Sequence, residues 1–178
     1  MKKCSKVRQN NRRASGRNYF FSLTVTGLSF ILLLMPTTAL GVNCNVSATD
    51  VAFGTYNPTN SSSTNATGII HVSCTGLIGL LVQTNISLNT GGSGSYSPRK
   101  MSSGANLLNY NLYKEASHTT VWGDGTGGTG IITDSFLIVL FGTSKDYTIY
   151  GSIPAGQYVA AGSYTDTITV TVEFHEGL

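Results

Sequence analysis

Polar and apolar residues alternate along much of this chain. Ile70, Val72 and Cys74 fall on one side of a period-two pattern, with His71 and Ser73 on the other, which is the mark of a half-buried strand. Leu80, Val82, Thr84, Ile86 and Leu88 alternate in the same way with Gln83, Asn85 and Ser87, until a Gly/Ser/Asn loop over residues 89–95 interrupts them. Further strands are predicted over residues 107–113, 136–141 and 147–153, each bounded by Gly, Asn, Asp or Pro. The clearest strand is the last. Ile168, Val170, Val172 and Phe174 face inward while Thr167, Thr169, Thr171 and Glu173 face out. Residues 51–56 are expected to run along a sheet edge. Beyond residue 41 no window carries a helical stripe. Six or seven short strands spaced by turns predict an all-β fold, an immunoglobulin-like antiparallel β-sandwich.

Composition sharpens this picture. The 178 residues suit one domain, and 21 glycines with only 11% charged residues exclude a coiled coil. Seven of the eleven basic residues lie in the first 17 positions, so the remaining four face all eight acids and the rest of the chain is near −4. That balance argues against nucleic acid as a partner, because phosphate binding needs clustered Lys and Arg in the folded domain. After the basic stretch come an uncharged, mostly apolar run over residues 19–35, Pro36, and the small-residue sequence Thr37-Thr38-Ala39-Leu40-Gly41. This is the order of a secretory signal peptide. The expected organisation is therefore a leader over residues 1–41 and one domain over 42–178, with no membrane insertion once the leader is removed. An uncleaved anchor is the alternative, since the apolar run is near the minimum for a spanning helix.

Removal of the leader takes Cys4 with it and leaves Cys44 and Cys74 as an even pair, which an oxidising compartment would join. No Cys-x-x-Cys occurs and His71, His118 and His175 are scattered, so neither a metal site nor a cofactor is expected. Asp124, between Gly123 and Gly125, reads as a turn residue before it reads as an acid or a Ca²⁺ ligand. No nucleophile, base and orienting group can be assembled from spacing, and no enzymatic activity is expected. Arg99-Lys100 reads as a solvated loop or as a guard on a strand edge. The run over residues 76–82 has two readings. It is either a buried lead-in to a strand or an apolar loop, with Leu77, Ile78 and Leu80 at its tip, that touches a surface or partner.

The C-terminal third, Gly151-Ser152-Ile153-Pro154-Ala155-Gly156-Gln157, Ala161-Gly162-Ser163-Tyr164-Thr165-Asp166-Thr167 and the alternating strand after it, resembles the closing motif of the spore coat protein U domain. That family includes subunits of archaic, Csu-type chaperone-usher pili. Upstream, Cys44 with Val51-Ala52-Phe53-Gly54, Ile70-His71-Val72-Ser73-Cys74, Arg99-Lys100-Met101, Leu108-Asn109-Tyr110-Asn111-Leu112-Tyr113 and Trp122-Gly123-Asp124 extend the resemblance over nearly all of the chain beyond the leader.

The resemblance implies an incomplete sandwich, held first by a periplasmic chaperone, passed to an outer-membrane usher and completed by a strand from a neighbouring subunit. Ile168, Val170, Val172 and Phe174 would then line part of the acceptor groove. Only Val42 and Asn43, or at most residues 40–43, separate the cleavage region from Cys44. A chain that receives a strand but has none to give suits the tip of a fibre, carried to the cell surface and touching an abiotic or host surface. The runner-up is a secreted spore-coat or matrix protein of the same fold outside any pilus.

Overall fold

The computed structural model describes residues 6–11 and 42–177. Among the described residues nine strands form two sheets. They are β1 (Lys6–Asn11), β2 (Asn43–Ala48), β3 (Thr64–Thr75), β4 (Leu81–Leu88), β5 (Arg99–Ser103), β6 (Asn106–Tyr113), β7 (Ile132–Leu137), β8 (Thr143–Ile153) and β9 (Thr169–Gly177). One sheet has the order β2-β3-β8-β6-β5 and is antiparallel throughout. The other has the order β1-β9-β4-β7; β9, β4 and β7 pair antiparallel, while β1 lies parallel to β9. The expected all-β sandwich is therefore present, with β1, β2 and β5 added to the strands anticipated from the pattern.

The inward residues of both sheets make one core. Ile70, Val72 and Cys74 of β3 and Val82, Ile86 and Leu88 of β4 are sealed from solvent, as the period-two pattern requires. Thr84 occupies an inward position of β4, and its hydroxyl donates to the Asp134 carbonyl on β7, so no buried donor is wasted. The segment after β2 departs from expectation. Residues 49–56 are not a strand along the sheet edge; they cross the end of the core, where Val51 and Phe53 are buried. Gly151 makes that crossing passable, because a Cβ there would sit 2.7 Å from both side chains.

The long β6–β7 connection folds inward around Trp122. Its indole N–H donates to the Ile86 carbonyl at 3.0 Å, and its backbone N–H to the Leu112 carbonyl at 2.9 Å. Arg99 corrects the sequence reading most sharply. It is wholly buried rather than solvated, with its guanidinium donating to the carbonyls of Asn89 and Trp122 and to Asn111 Oδ1. The Tyr96 ring lies over it, 5.0 Å from centroid to Cζ. The β4–β5 and β6–β7 connections and strand β6 are thereby held to one side chain at the end of the sandwich where β4 stops and β9 starts.

Candidate strand-acceptor groove and apolar tip

β9 is a strand by composition before it is one by pairing. Thr169, Val170, Thr171 and Val172 are β-branched and stiff at χ1, which suits a pleated surface. Its start is fixed at two points. Asn89 and Thr169 exchange bonds, with the Asn89 N–H donating to the Thr169 carbonyl at 3.1 Å and the Thr169 N–H to Asn89 Oδ1 at 2.8 Å. Asp166 accepts from the amides of Gly92 and Thr167 and from the Tyr110 hydroxyl, the last at 2.7 Å. Gly91, at φ +70°, permits this approach, since a Cβ there would fall 2.2 Å from Asp166 Oδ2.

Ile168, Val170, Val172 and Phe174 all turn into the core and are buried. One flank of β9 pairs with β4, in the register Leu88↔Val170, Ile86↔Val172 and Thr84↔Phe174. Among the described residues the other flank pairs with β1 alone, from Lys6↔Thr169 to Asn11↔Phe174. The remainder of the leader assigned to residues 1–41 lies outside the described residues, as does Leu178.

β2 forms the opposite lip. Cys44 and Val46 face inward from it, and Cys44 stands directly across from Cys74 of β3, to which it is bonded with a Cα–Cα distance of 4.0 Å. The Val42 N–H donates to Glu176 Oε1 at 2.9 Å and links the two lips at one end. Elsewhere the lips belong to different sheets. The far edge of the first sheet is closed differently, by a two-bond bridge between Ser102 of β5 and Thr165.

The apolar tip lies at the Val42 end. Leu77 and Ile78, in the β3–β4 loop, are 58% and 62% exposed and so are not a buried lead-in to β4; Leu80 instead packs partly against the core. The strand predicted over residues 136–141 is displaced. β7 ends at Leu137, and the rest of the apolar run is a second loop with only Ile138 buried. Val139, Leu140 and Phe141 stand out from it, Phe141 at 95% exposure and φ +75°. The Gly79 N–H donates to the Ile138 carbonyl at 2.8 Å and the Ile138 N–H to the Leu80 carbonyl at 2.9 Å, tying the loops side by side. An unalternated apolar run is ambiguous in period, so its exposed half was missed by pattern reading.

The remaining titratable groups act locally. Asp134 Oδ2 accepts from Lys145 Nζ at 2.7 Å and the Tyr147 hydroxyl at 2.9 Å. Burial works to raise the Asp134 pKa, but these donors and the Ser135 amide outweigh it and hold the carboxyl below its ordinary value. Tyr147 is pushed up to about 12, chiefly by burial. Asp124 closes a turn by accepting from the Thr126 hydroxyl and amide, which lower its pKa. His71 pairs with Asp146 on the exposed face of the first sheet. Among the described residues no three His, Cys, Asp or Glu side chains gather as a metal site would require, and no helix is long and apolar enough to cross a membrane.

The fold is an immunoglobulin-like sandwich whose last strand pairs with β4 on one flank and, among the described residues, with β1 on the other. The spore coat protein U domain matches residues 32–171, and the chain belongs to that family. Protein U of Myxococcus xanthus is 35% identical over 135 residues, which cover 68% of this chain and 70% of that protein. A chain in the crystal structure of the CsuC-CsuE chaperone-tip adhesion subunit pre-assembly complex, from the archaic chaperone-usher Csu pili of Acinetobacter baumannii, is also similar. It aligns with a TM-score of 0.50 and 25% identity over 74% of this chain; the present chain spans 39% of its length.

Proposed function

We infer that this chain is an exported, non-catalytic subunit of a surface pilus, assembled by a periplasmic chaperone and an outer-membrane usher, and completed along β9 by a neighbouring subunit. The observation that carries this reading is the pairing of β9 with Lys6–Asn11. Those residues belong to the basic leader, and the basic end of a secretory leader stays on the cytoplasmic side during export. The exported domain therefore loses that strand, and the flank must be filled from another chain. An extended segment with alternating apolar side chains supplies both what the backbone needs and what the apolar row of β9 needs.

The energetics favour dependence on the donor. Each large side chain uncovered forfeits roughly 1.5 to 3 kcal/mol, so three or four along the groove approach the whole stability of a domain this size. Only Val42 and Asn43 precede Cys44 after the proposed cleavage region, which supports a terminal position in which the subunit receives a strand and donates none. The similarity to a tip adhesion subunit complex agrees with that position. At such a place the apolar tip faces outward as a contact surface. Co-expression with a pilus chaperone tests this reading: the chain is expected to be recovered as a one-to-one complex and to be degraded without it.

A second reading, a secreted coat protein outside any pilus, has its own support in the similarity to Protein U, of which a larger share is matched. Recovery of the chain as a stable free monomer from the medium of a strain lacking the usher would favour it.

A further inference from the structure

We propose that the apolar tip docks by inserting Phe141 and its neighbours into the uncharged acyl-headgroup boundary of a lipid assembly. The proposal rests on the tip being a contact surface and names what it contacts. Leu77 and Ile78 on the β3–β4 connection, Leu137 at the end of β7, and Val139, Leu140 and Phe141 on the β7–β8 connection paired with the first are all more than half exposed. So large a cluster of exposed apolar side chains marks an interaction site rather than ordinary surface.

Three features select a lipid boundary. Residues 75–81 and 135–144 contain no charged side chain, so the two loops themselves offer nothing that would favour a charged partner or anionic headgroups in particular; the nearby Glu176 carboxylate is taken up by the Val42 N–H. Much of the loop backbone is already spent on itself. The amides of Gly79, Leu80, Ile138, Val139 and Gly142 all donate within the tip, which leaves side-chain hydrocarbon as what is offered outward. Lastly, the tip is small. Six side chains fall well short of the roughly 20 to 30 residues a side that a standard protein interface uses, so a second copy docked tip to tip would bury too little.

Phe141 makes the choice specific. Its φ of +75°, followed by Gly142 at +90°, turns the ring outward from the loop. A projecting aromatic ring can be surrounded by a phase it penetrates, and Phe and Leu are suited to the acyl-headgroup boundary. A rigid flat surface would meet the ring at one point. The contact needs no spanning segment, since only side chains enter.

The test uses the exported chain completed with a donor peptide, mixed with phosphatidylcholine vesicles and followed by flotation. The wild type is expected to float with the vesicles equally at low and high salt. The double variant Leu140→Ser, Phe141→Ser should lose at least tenfold of the bound fraction while Phe141→Leu keeps most of it. Both changes sit at exposed positions, and an unchanged melting profile with donor peptide shows that the fold and the groove are intact. The proposal is overturned by failure of the wild type to float, by equal flotation of the double variant, by binding that requires anionic lipid or disappears in salt, or by adsorption to polystyrene beads without vesicle binding. Any of these with donor completion preserved removes the lipid contact and leaves the pilus reading standing.

Discussion

The second sheet has two outer strands with opposite characters. β7 carries Asp134, whose carboxylate receives Lys145 and Tyr147 of β8 from the other sheet. A charge turned in at an edge discourages further strands from adding there. β9 has no such guard over residues 168–172, which read Ile-Thr-Val-Thr-Val, uncharged and rich in β-branched side chains. Among the described residues that flank is paired and the outer β7 flank is not. The difference between the two strands is one of protection: β7 carries an inward charge of the kind that discourages strand addition, and residues 168–172 carry none.

Breaking the receptive flank should have the largest effect. Val172→Asp places a carboxylate in the core beside the groove, and a loss of at least about 5 kcal/mol is expected, enough to prevent folding even with a donor. Circular dichroism of the exported variant would check this. Arg99→Met attacks the frame behind the start of β9. It leaves the Asn89 and Trp122 carbonyls and Asn111 Oδ1 short of a donor, with an expected cost of roughly 3 to 5 kcal/mol measured by urea unfolding of the completed domain. Removing the disulfide through Cys44→Ser with Cys74→Ser frees the opposite lip. About 3 to 4 kcal/mol should be lost, with the larger part of the damage in donor affinity if β2 detaches first.

The guarded flank should respond weakly. Asp134→Asn is expected to change stability by less than about 1 kcal/mol, because the bridge is partly exposed, while increasing self-association. Its pH signature has a definite sign. The carboxyls of Asp134, Asp124 and Glu115 are all held below their ordinary values, the last mainly by the Thr119 hydroxyl. Each thus adds stability above its unfolded pKa, and that stability is lost as pH falls through the folded value. The melting temperature of the completed domain should be level from neutral pH to about 5 and decline below roughly pH 4, less steeply in Asp134→Asn. The smallest effect is expected at Thr169→Ser, an outward change on β9 that should leave melting within experimental scatter.

How much of this could be read from the chain depended on whether burial leaves a period. β3, β4 and β9 have one face in the core and one outside, so their alternation is explicit. β2 and β5 are short and polar, and their place comes from pairing with β3 and β6. Arg99 looked solvated because nothing local announces that Asn89, Asn111 and Trp122 converge on it. The apolar row of β9 was legible by residue, but its receptive flank was inferred from resemblance, since a side-chain pattern does not state which backbone edge lies open. Half of the apolar tip was overlooked because residues 136–141 are hydrophobic without a break and turn out of the sandwich after Ile138.

Whether the flank of β9 is filled by another chain is decided by thermal unfolding of the exported domain over residues 42–178, alone and with an alternating apolar peptide from a partner subunit. A weak or absent cooperative transition is expected for the domain alone, and a rise of roughly 10 °C or more at saturating peptide. A domain that melts cooperatively as a stable monomer, at a temperature no donor peptide changes, would contradict completion by another chain.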